Sequence, residues 1–409
     1  MKYCKQLLFS VFLILALYRA SDAQWQYCGN YTGNVLPFTI IDSVLIAGTY
    51  GSGVYYTDNG INWSYSTNGM SDNKILSLTM SGNYVFAGSE AGGVYRSSDK
   101  GINWIPVNNG LTSFEIHTIC SNAGNVYAGT NTGVYMTQDN GANWTKASSA
   151  QVGNIIYAIT AYNNKIIATS ASGVYITLNG GINWNNITTG ISSYIYCLSN
   201  FNNTVYAGSS NNGVFKTIND GLNWISINSG LPGGKAVRTV FCENENIYAA
   251  LYNSGGIYYL PSAGNTWIQA NNGLTQLICY TVISFNNYVY AGTTSGIFRR
   301  PKAEFTSIRK IDSNIPGDFR LYQNYPNPFN PATKIKFELS QTDNGERGTV
   351  TRLVVYDISG KEVQTLVNEM LPPGVYEVDF TGNGISSGVY FYKLISGGFT
   401  ETGKMTLLK

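Results

Sequence analysis

GVYRSSDKGINW, residues Gly93–Trp104, has near copies along most of the chain: GVYYTDNGINW (Gly53–Trp63), GVYMTQDNGANW (Gly133–Trp144), GVYITLNGGINW (Gly173–Trp184) and GVFKTINDGLNW (Gly213–Trp224). The glycine that opens the motif falls at Gly53, Gly93, Gly133, Gly173, Gly213, Gly256 and Gly296, in steps of 40 residues apart from one of 43. A fixed period of this length is a statement about architecture and is read before any single residue.

Working outward, most copies follow an apolar stretch ending in Ala and small residues, as in VFAGS (Val85–Ser89) and VYAGT (Val126–Thr130). Another apolar run comes earlier, such as ILSLTM (Ile75–Met80), and a Trp-bearing stretch follows, such as INWIPV (Ile102–Val107). Four short strands joined by turn residues in about 40 residues make the blade of a β-propeller. The expected fold is therefore all-β, a seven-bladed propeller over residues 24–300. The seven tryptophans, Trp25, Trp63, Trp104, Trp144, Trp184, Trp224 and Trp267, are offset from the glycines. The last blade lacks a Trp strand of its own, and WQYCG (Trp25–Gly29) is expected to supply it, closing the ring and leaving no open edge. Phe305–Ile308 is the competing candidate for that place.

Only 12% of the residues are charged, net charge is +2, and 44% are apolar or aromatic. That composition can build a core and offers no clustered basic surface for nucleic acid. Lys2 and Lys5 precede the apolar run Leu7–Tyr18, and Ser21-Asp22-Ala23 follows, which predicts a signal peptide over residues 1–23 and a mature start at Gln24. The run is short for a membrane span, and an exported, non-spanning protein is expected. Beyond Cys4 there are five cysteines, Cys28, Cys120, Cys197, Cys242 and Cys279, with His117 the sole histidine. No spacing suits a metal site, and neither metal nor cofactor is expected. Four of these thiols read as small apolar strand residues, with room for one disulfide.

Within the repeat, Asp58, Asp99, Asp139 and Asp220 lie just before Gly60, Gly101, Gly141 and Gly221, where a short carboxylate can accept backbone N–H groups. Trp63, Trp104, Trp144, Trp184 and Trp224 then bury rings between sheets. Asn179 and Asn219 stand in two of the acid positions, a loss that argues for turn structure over chemistry. SSDKGINW (Ser97–Trp104) resembles the Asp-box of the bacterial neuraminidase repeat, Ser-x-Asp-x-Gly-x-Thr-Trp, with Asn103 in place of Thr. The resemblance implies a propeller of the kind found in sialidases, xyloglucan-cleaving hydrolases, sortilin-type receptors and photosystem II assembly factors. It also implies that the box sits on the outer strands, away from the ligand face. Activities differ across those families, so it carries fold further than function.

Residues 24–300 hold ten acids, of which four belong to the repeat turns. Asp42, Glu243 and Glu245 fall in hairpins expected on the opposite face. Asp72, Glu90 and Glu115 remain, on adjacent blades, as the only pair-forming carboxyls a glycoside hydrolase or lyase would have, set against the reading of three solvated loop acids. The arginine set of a sialidase is absent: Arg96, Arg299 and Arg300 leave outer strands. Binding is the better expectation. Loops converging on one face carry Lys74, Phe114, His117, Tyr157, Tyr194, Tyr196, Arg238 and Tyr280, and the inner loops add Tyr50 and Tyr252. Tyrosines of this kind suit a glycan or protein ligand, and several would equally pack between blades. A purely structural or adhesive surface protein is the third reading.

PKAEFTSIRKIDSNIPG (Pro301–Gly317) breaks the repeat and reads as a linker. Residues 318–409 then show short alternating strands behind LYQNYPNPFNPATKIKFEL (Leu321–Leu339), whose Pro326, Pro328 and Pro331 exclude helix, and an immunoglobulin-like β-sandwich is expected. This segment resembles the type A C-terminal sorting domain of the type IX (Por) secretion system. The residues that carry the likeness are Gln323, Asn324, Tyr325, Pro326, Asn327, Pro328, Phe329, Asn330 and Pro331, Tyr356-Asp357 with Gly360, Ser387-Gly388-Val389-Tyr390, and Lys404 with Met405. Thr342–Gly348 reads as an insertion. The resemblance implies recognition by the type IX machinery and delivery to the surface or exterior of a Bacteroidetes-type cell.

Overall fold

The computed structural model describes residues 24–28, 33–148, 150–191, 194–243, 246–261, 266–302, 305, 308–312, 315–341, 349–382 and 385–408. The expected signal peptide, Glu245 and the insertion after Gln341 lie outside them. The first part of the chain forms seven four-stranded antiparallel sheets. The second is representative: Ile75–Ser81, Tyr84–Ser89, Val94–Ser97 and Ile105–Pro106, running from the centre outward. The middle strands are almost wholly buried because both of their faces meet a neighbouring blade. Phe86 and Val94 of this blade pack with Ile116, Ile119 and Val126 of the next. The contact is close enough to demand glycine: a Cβ on Gly88 would lie 2.5 Å from Ile116 Cγ2. This is a seven-bladed β-propeller.

The last blade takes its outer strand from the start of the described chain. Gln26–Tyr27 pairs antiparallel with Gly296–Pro301, Gln26 opposite Arg299 and Tyr27 opposite Phe298. Trp25 makes the bonds that other blades make within continuous chain. Its amide donates to Asn272 O at 3.0 Å, as that of Trp144 does to Asn109 O. Its indole donates to Ala270 O at 2.5 Å, as Trp144, Trp184 and Trp224 donate to Val107, Ala147 and Ile187 of the preceding blades. Phe305 forms no strand; it packs edge-on against Trp25 and caps the seam.

The repeat turn is an acceptor turn. Asp99 accepts the Asn103 amide at 2.8 Å and the Ser97 hydroxyl at 2.8 Å, and Asp139 repeats this with Asn143 and Thr137. Asn179 and Asn219 do the same with a neutral oxygen. Two expected members are corrected. Thr57 to Trp63 is one residue shorter than Ser97 to Trp104, so Asn59, not Asp58, accepts the Ile61 and Asn62 amides. Asp220 holds the left-handed position (φ 58°), and its carboxylate meets Lys165 Nζ at 2.6 Å and the Tyr162 hydroxyl at 2.9 Å instead. Trp63 is only half-buried, unlike the other tryptophans.

The hydrogen bonds from Asn143 and Thr137 hold the Asp139 carboxyl down from its ordinary 3.8 to about 2. A depressed folded-state value adds stability above the ordinary pKa, and that stability is lost as pH falls through the folded one. Asp139→Asn is therefore expected to lower the unfolding midpoint at neutral pH, with the gap closing between about pH 4 and 2. A gap that does not change with pH contradicts the turn's dependence on charge.

The second part is a sandwich of two four-stranded antiparallel sheets. Gly374–Thr381 and Ala332–Leu339 centre one sheet, Thr349–Tyr356 and Gly388–Ser396 the other, over a core that includes Ile335, Phe337, Val355, Tyr392 and Met405. The linker reading of residues 301–317 is corrected here. Arg309–Asp312 is an edge strand of the sandwich, Arg309 opposite Glu377, and Ile308 enters its core. Cys120, Cys197, Cys242 and Cys279 are free thiols, and burial pushes these and the Cys28 thiol up to about 12.

Candidate functional site

The seven inner strands enclose a central cavity of about 720 Å³. Each inner strand slips register near its start: between Ile116 and Thr118, Ile156 and Ala158, Ile195 and Cys197, Val237 and Thr239, Cys279 and Thr281, Ile75 and Ser77, and Val35 and Phe38. A bulge re-aims the extra side chain. Here the extra residues are His117, Tyr157, Tyr196, Arg238, Tyr280, Leu76 and the pair Leu36-Pro37, and all of them line the cavity. Equivalent places in seven like blades put them in one ring at one mouth.

The ring is tied together by side chains from neighbouring loops. The Arg238 guanidinium lies 4.9 Å from the Tyr196 ring centroid and 5.8 Å from that of Tyr252. Tyr252 packs on Tyr280 (5.4 Å), whose hydroxyl accepts Asn34 Nδ2 at 3.3 Å. Burial, then the neighbouring Tyr252, raises the Tyr280 hydroxyl pKa. Tyr157 meets Tyr194 edge-on at 5.9 Å. His117 Nε2 bonds Asn131 Oδ1 at 2.7 Å, and Asn131 donates to Glu115 at 2.5 Å. Five expected binding residues, His117, Tyr157, Tyr196, Arg238 and Tyr280, thus share the mouth, with Tyr194 and Tyr252 packed on them. They sit on strand bulges rather than in free loops. Phe114 stands exposed, its carbonyl accepting the Gly93 amide.

Tyr50 and Lys74 gather around a different residue. The Glu90 carboxylate accepts both the Tyr50 hydroxyl and the Lys74 ammonium. Those two partners, Lys74 first, pull the Glu90 carboxyl below its ordinary value. Asp72 accepts the Lys74 amide at 3.1 Å with one oxygen and the Ala91 amide at 2.6 Å with the other. A proton donor for glycoside cleavage needs a raised pKa. Glu90 is shifted the other way, and both Asp72 oxygens serve the backbone.

In the sandwich, the Asn324–Pro331 segment fastens the last strand. Buried Asn324 accepts Gln323 Nε2 and donates to Pro326 O and Thr333 Oγ1. Its amide donates to the Tyr392 hydroxyl at 2.9 Å. Asn327 accepts the Thr406 amide at 2.9 Å and donates to Lys404 O at 3.3 Å, while buried Phe329 pairs with Leu407. Pro326, Pro328, Asn330 and Pro331 are exposed, and Gly388 starts the strand facing Leu407. Ring contacts, bulges and partners such as Asn131 and Asn34 were not singled out from sequence. The bulge position is nevertheless readable as the residue after the first buried one of each inner strand.

Residues 323–407 match the family described as the secretion system C-terminal sorting domain. Among solved structures the chain is similar to PorZ, described as an essential bacterial surface component of the type-IX secretion system of Porphyromonas gingivalis. The TM-score is 0.55 at 16% identity, over 96% of this chain and 61% of that one. The chain therefore spans less than two thirds of PorZ. It is also similar to YCF48 from Cyanidioschyzon merolae (TM-score 0.54, 16% identity, 68% and 98% covered) and to the GH74 xyloglucanase from Xanthomonas campestris (0.54, 13%, 77% and 59%). At these identities the likeness is one of fold. No curated protein matches the chain in sequence.

Proposed function

We propose that this chain is an exported β-propeller that binds a polysaccharide, a peptidoglycan fragment or a partner protein at the mouth of its central cavity. Its C-terminal sorting domain addresses it through type IX secretion to the cell surface or beyond. The observation that carries the reading is the ring of seven bulged positions. A bulge costs ladder hydrogen bonds, and repeating it in every blade, in five of the seven to present Tyr, Arg or His, makes sense where those side chains meet a ligand. The GH74 likeness and the proximity of Asp72, Glu90 and Glu115 in sequence motivate a hydrolase or lyase as second reading, and the depressed Glu90 carboxyl weighs against it.

The test uses the full chain on arrays of glycans, peptidoglycan fragments and peptides. Tyr157→Ala with Tyr196→Ala is expected to weaken any ligand found by about tenfold or more. Unchanged affinity in the folded double variant moves the site away from the mouth. Glycan turnover that disappears in an Asp72→Asn, Glu90→Gln, Glu115→Gln chain favours the enzyme reading, and turnover that survives removes it.

A further inference from the structure

We infer that the cavity mouth takes an acidic sugar of a glycan, its carboxylate held by Arg238. This rests on the binding reading above and narrows it. Among the described residues the cavity lining contains no Asp or Glu, and Arg238 is its one permanently charged residue. The three other propeller arginines are committed to structure. Arg96 donates to Asn140 O at 2.7 Å and stacks on Tyr84. Arg299 donates to Gly60 O at 3.2 Å and stacks on Tyr288. Arg300 is buried against Phe305. Arg238 differs: it is exposed, it stacks on the rings of Tyr196 and Tyr252, and its charge also acts on the nearby Tyr280 hydroxyl and Cys197 thiol.

Rings that hold a guanidinium by its faces leave the N–H groups along its edge to accept a planar bidentate partner. The stacking also fixes the side chain in advance, which lowers the ordering cost of binding. A carboxylate matches that edge.

A second feature selects a sugar as the carrier. A cleft of about 430 Å³ opens between the fourth and fifth blades, lined by Ser172, Thr188, Tyr194, Asn211 and Asn212 among others, with no charged residue among the described ones. Tyr194 forms its wall and packs against Tyr157 of the ring, so cleft and mouth share an aromatic partition. Hydroxyls, amides and one half-exposed ring make a neutral polar surface suited to the uncharged units of the same glycan.

The experiment is calorimetric titration of the full chain with oligogalacturonates and with neutral galactose oligomers of equal length, backed by arrays of other acidic and neutral glycans. The acidic series is expected to bind, more weakly as salt rises, with the neutral series at least about tenfold weaker. Arg238→Gln should lose on the order of 10- to 100-fold for the acidic series, and so narrow its advantage over the neutral series. Arg238→Lys should recover only part, since it restores charge without the planar edge. Unfolding midpoints matching the parent chain show that both variants fold. Equal affinity for acidic and neutral glycans, or an unchanged Arg238→Gln chain, overturns the inference and leaves the binding reading standing. Capture of a peptide only when its C-terminal carboxylate is free, with no acidic glycan bound, overturns the sugar as source. Absence of any bound glycan or peptide overturns both readings.

Discussion

Trp25→Ala is expected to cost the folded chain about 3–5 kcal/mol, the range for truncating a buried Trp. The indole is 4% exposed, donates to Ala270 O and meets Phe305 edge-on at 5.9 Å. Gly273 makes the site tight, because a Cβ there would lie 2.7 Å from the Trp25 nitrogen. The consequence reaches beyond the cavity left behind. Trp104→Ala removes an equivalent ring from a continuous blade, whereas loosening Trp25 also releases Gln26–Tyr27 and opens the edge of Gly296–Pro301. An open edge pairs with other chains. Denaturant unfolding of the full chain checks this, with a lower midpoint and concentration-dependent association expected for Trp25→Ala. A loss below about 1 kcal/mol with no association would mean that the seam is not held here.

The second large effect is on location. Removing residues 308–409 is expected to leave a folded propeller in the periplasm, because the address is the sandwich. The cut belongs before Ile308, since Arg309–Asp312 pairs with Gly374–Thr381 and would otherwise remain as an orphan strand. Address and fold are one object in this domain. The Asn324–Pro331 segment is fastened to Lys404–Leu407, and Tyr392, whose hydroxyl accepts the Asn324 backbone amide, fills the space over Gly403 with its ring, where a Cβ would lie 2.1 Å from it. Fractionation of cells producing the truncated chain, with the propeller followed by antibody, gives the answer. Propeller on the outer surface at full-length levels contradicts the sorting assignment.

The blades were legible because period and strand length are backbone properties repeated seven times, and the offset of Trp25 from the glycine series pointed to the closing strand. Arg309–Asp312 was hidden because an edge strand is protected by charge, and charge also marks a linker. Asp58 misled because its turn is one residue shorter, which hands the acceptor role to Asn59. At the site, composition brought forward Tyr, His and Arg. The grouping of Tyr50 and Lys74 on Glu90, apart from the mouth, depends on loop geometry that residue types do not carry. Asn131 is one of many asparagines in the chain until the fold sets it between His117 and Glu115.

The mouth exists only if the ring is closed, so amide hydrogen exchange at the seam tests the account most directly. The Trp25 and Cys28 amides donate to Asn272 O at 3.0 Å and Ile297 O at 2.8 Å, as those of Trp144 and Ala147 donate to Asn109 O and Val134 O. In the full chain the first pair is predicted to be protected to the same degree as the second. Exchange of Trp25 and Cys28 at unprotected rates, while Trp144 and Ala147 stay protected, would contradict closure.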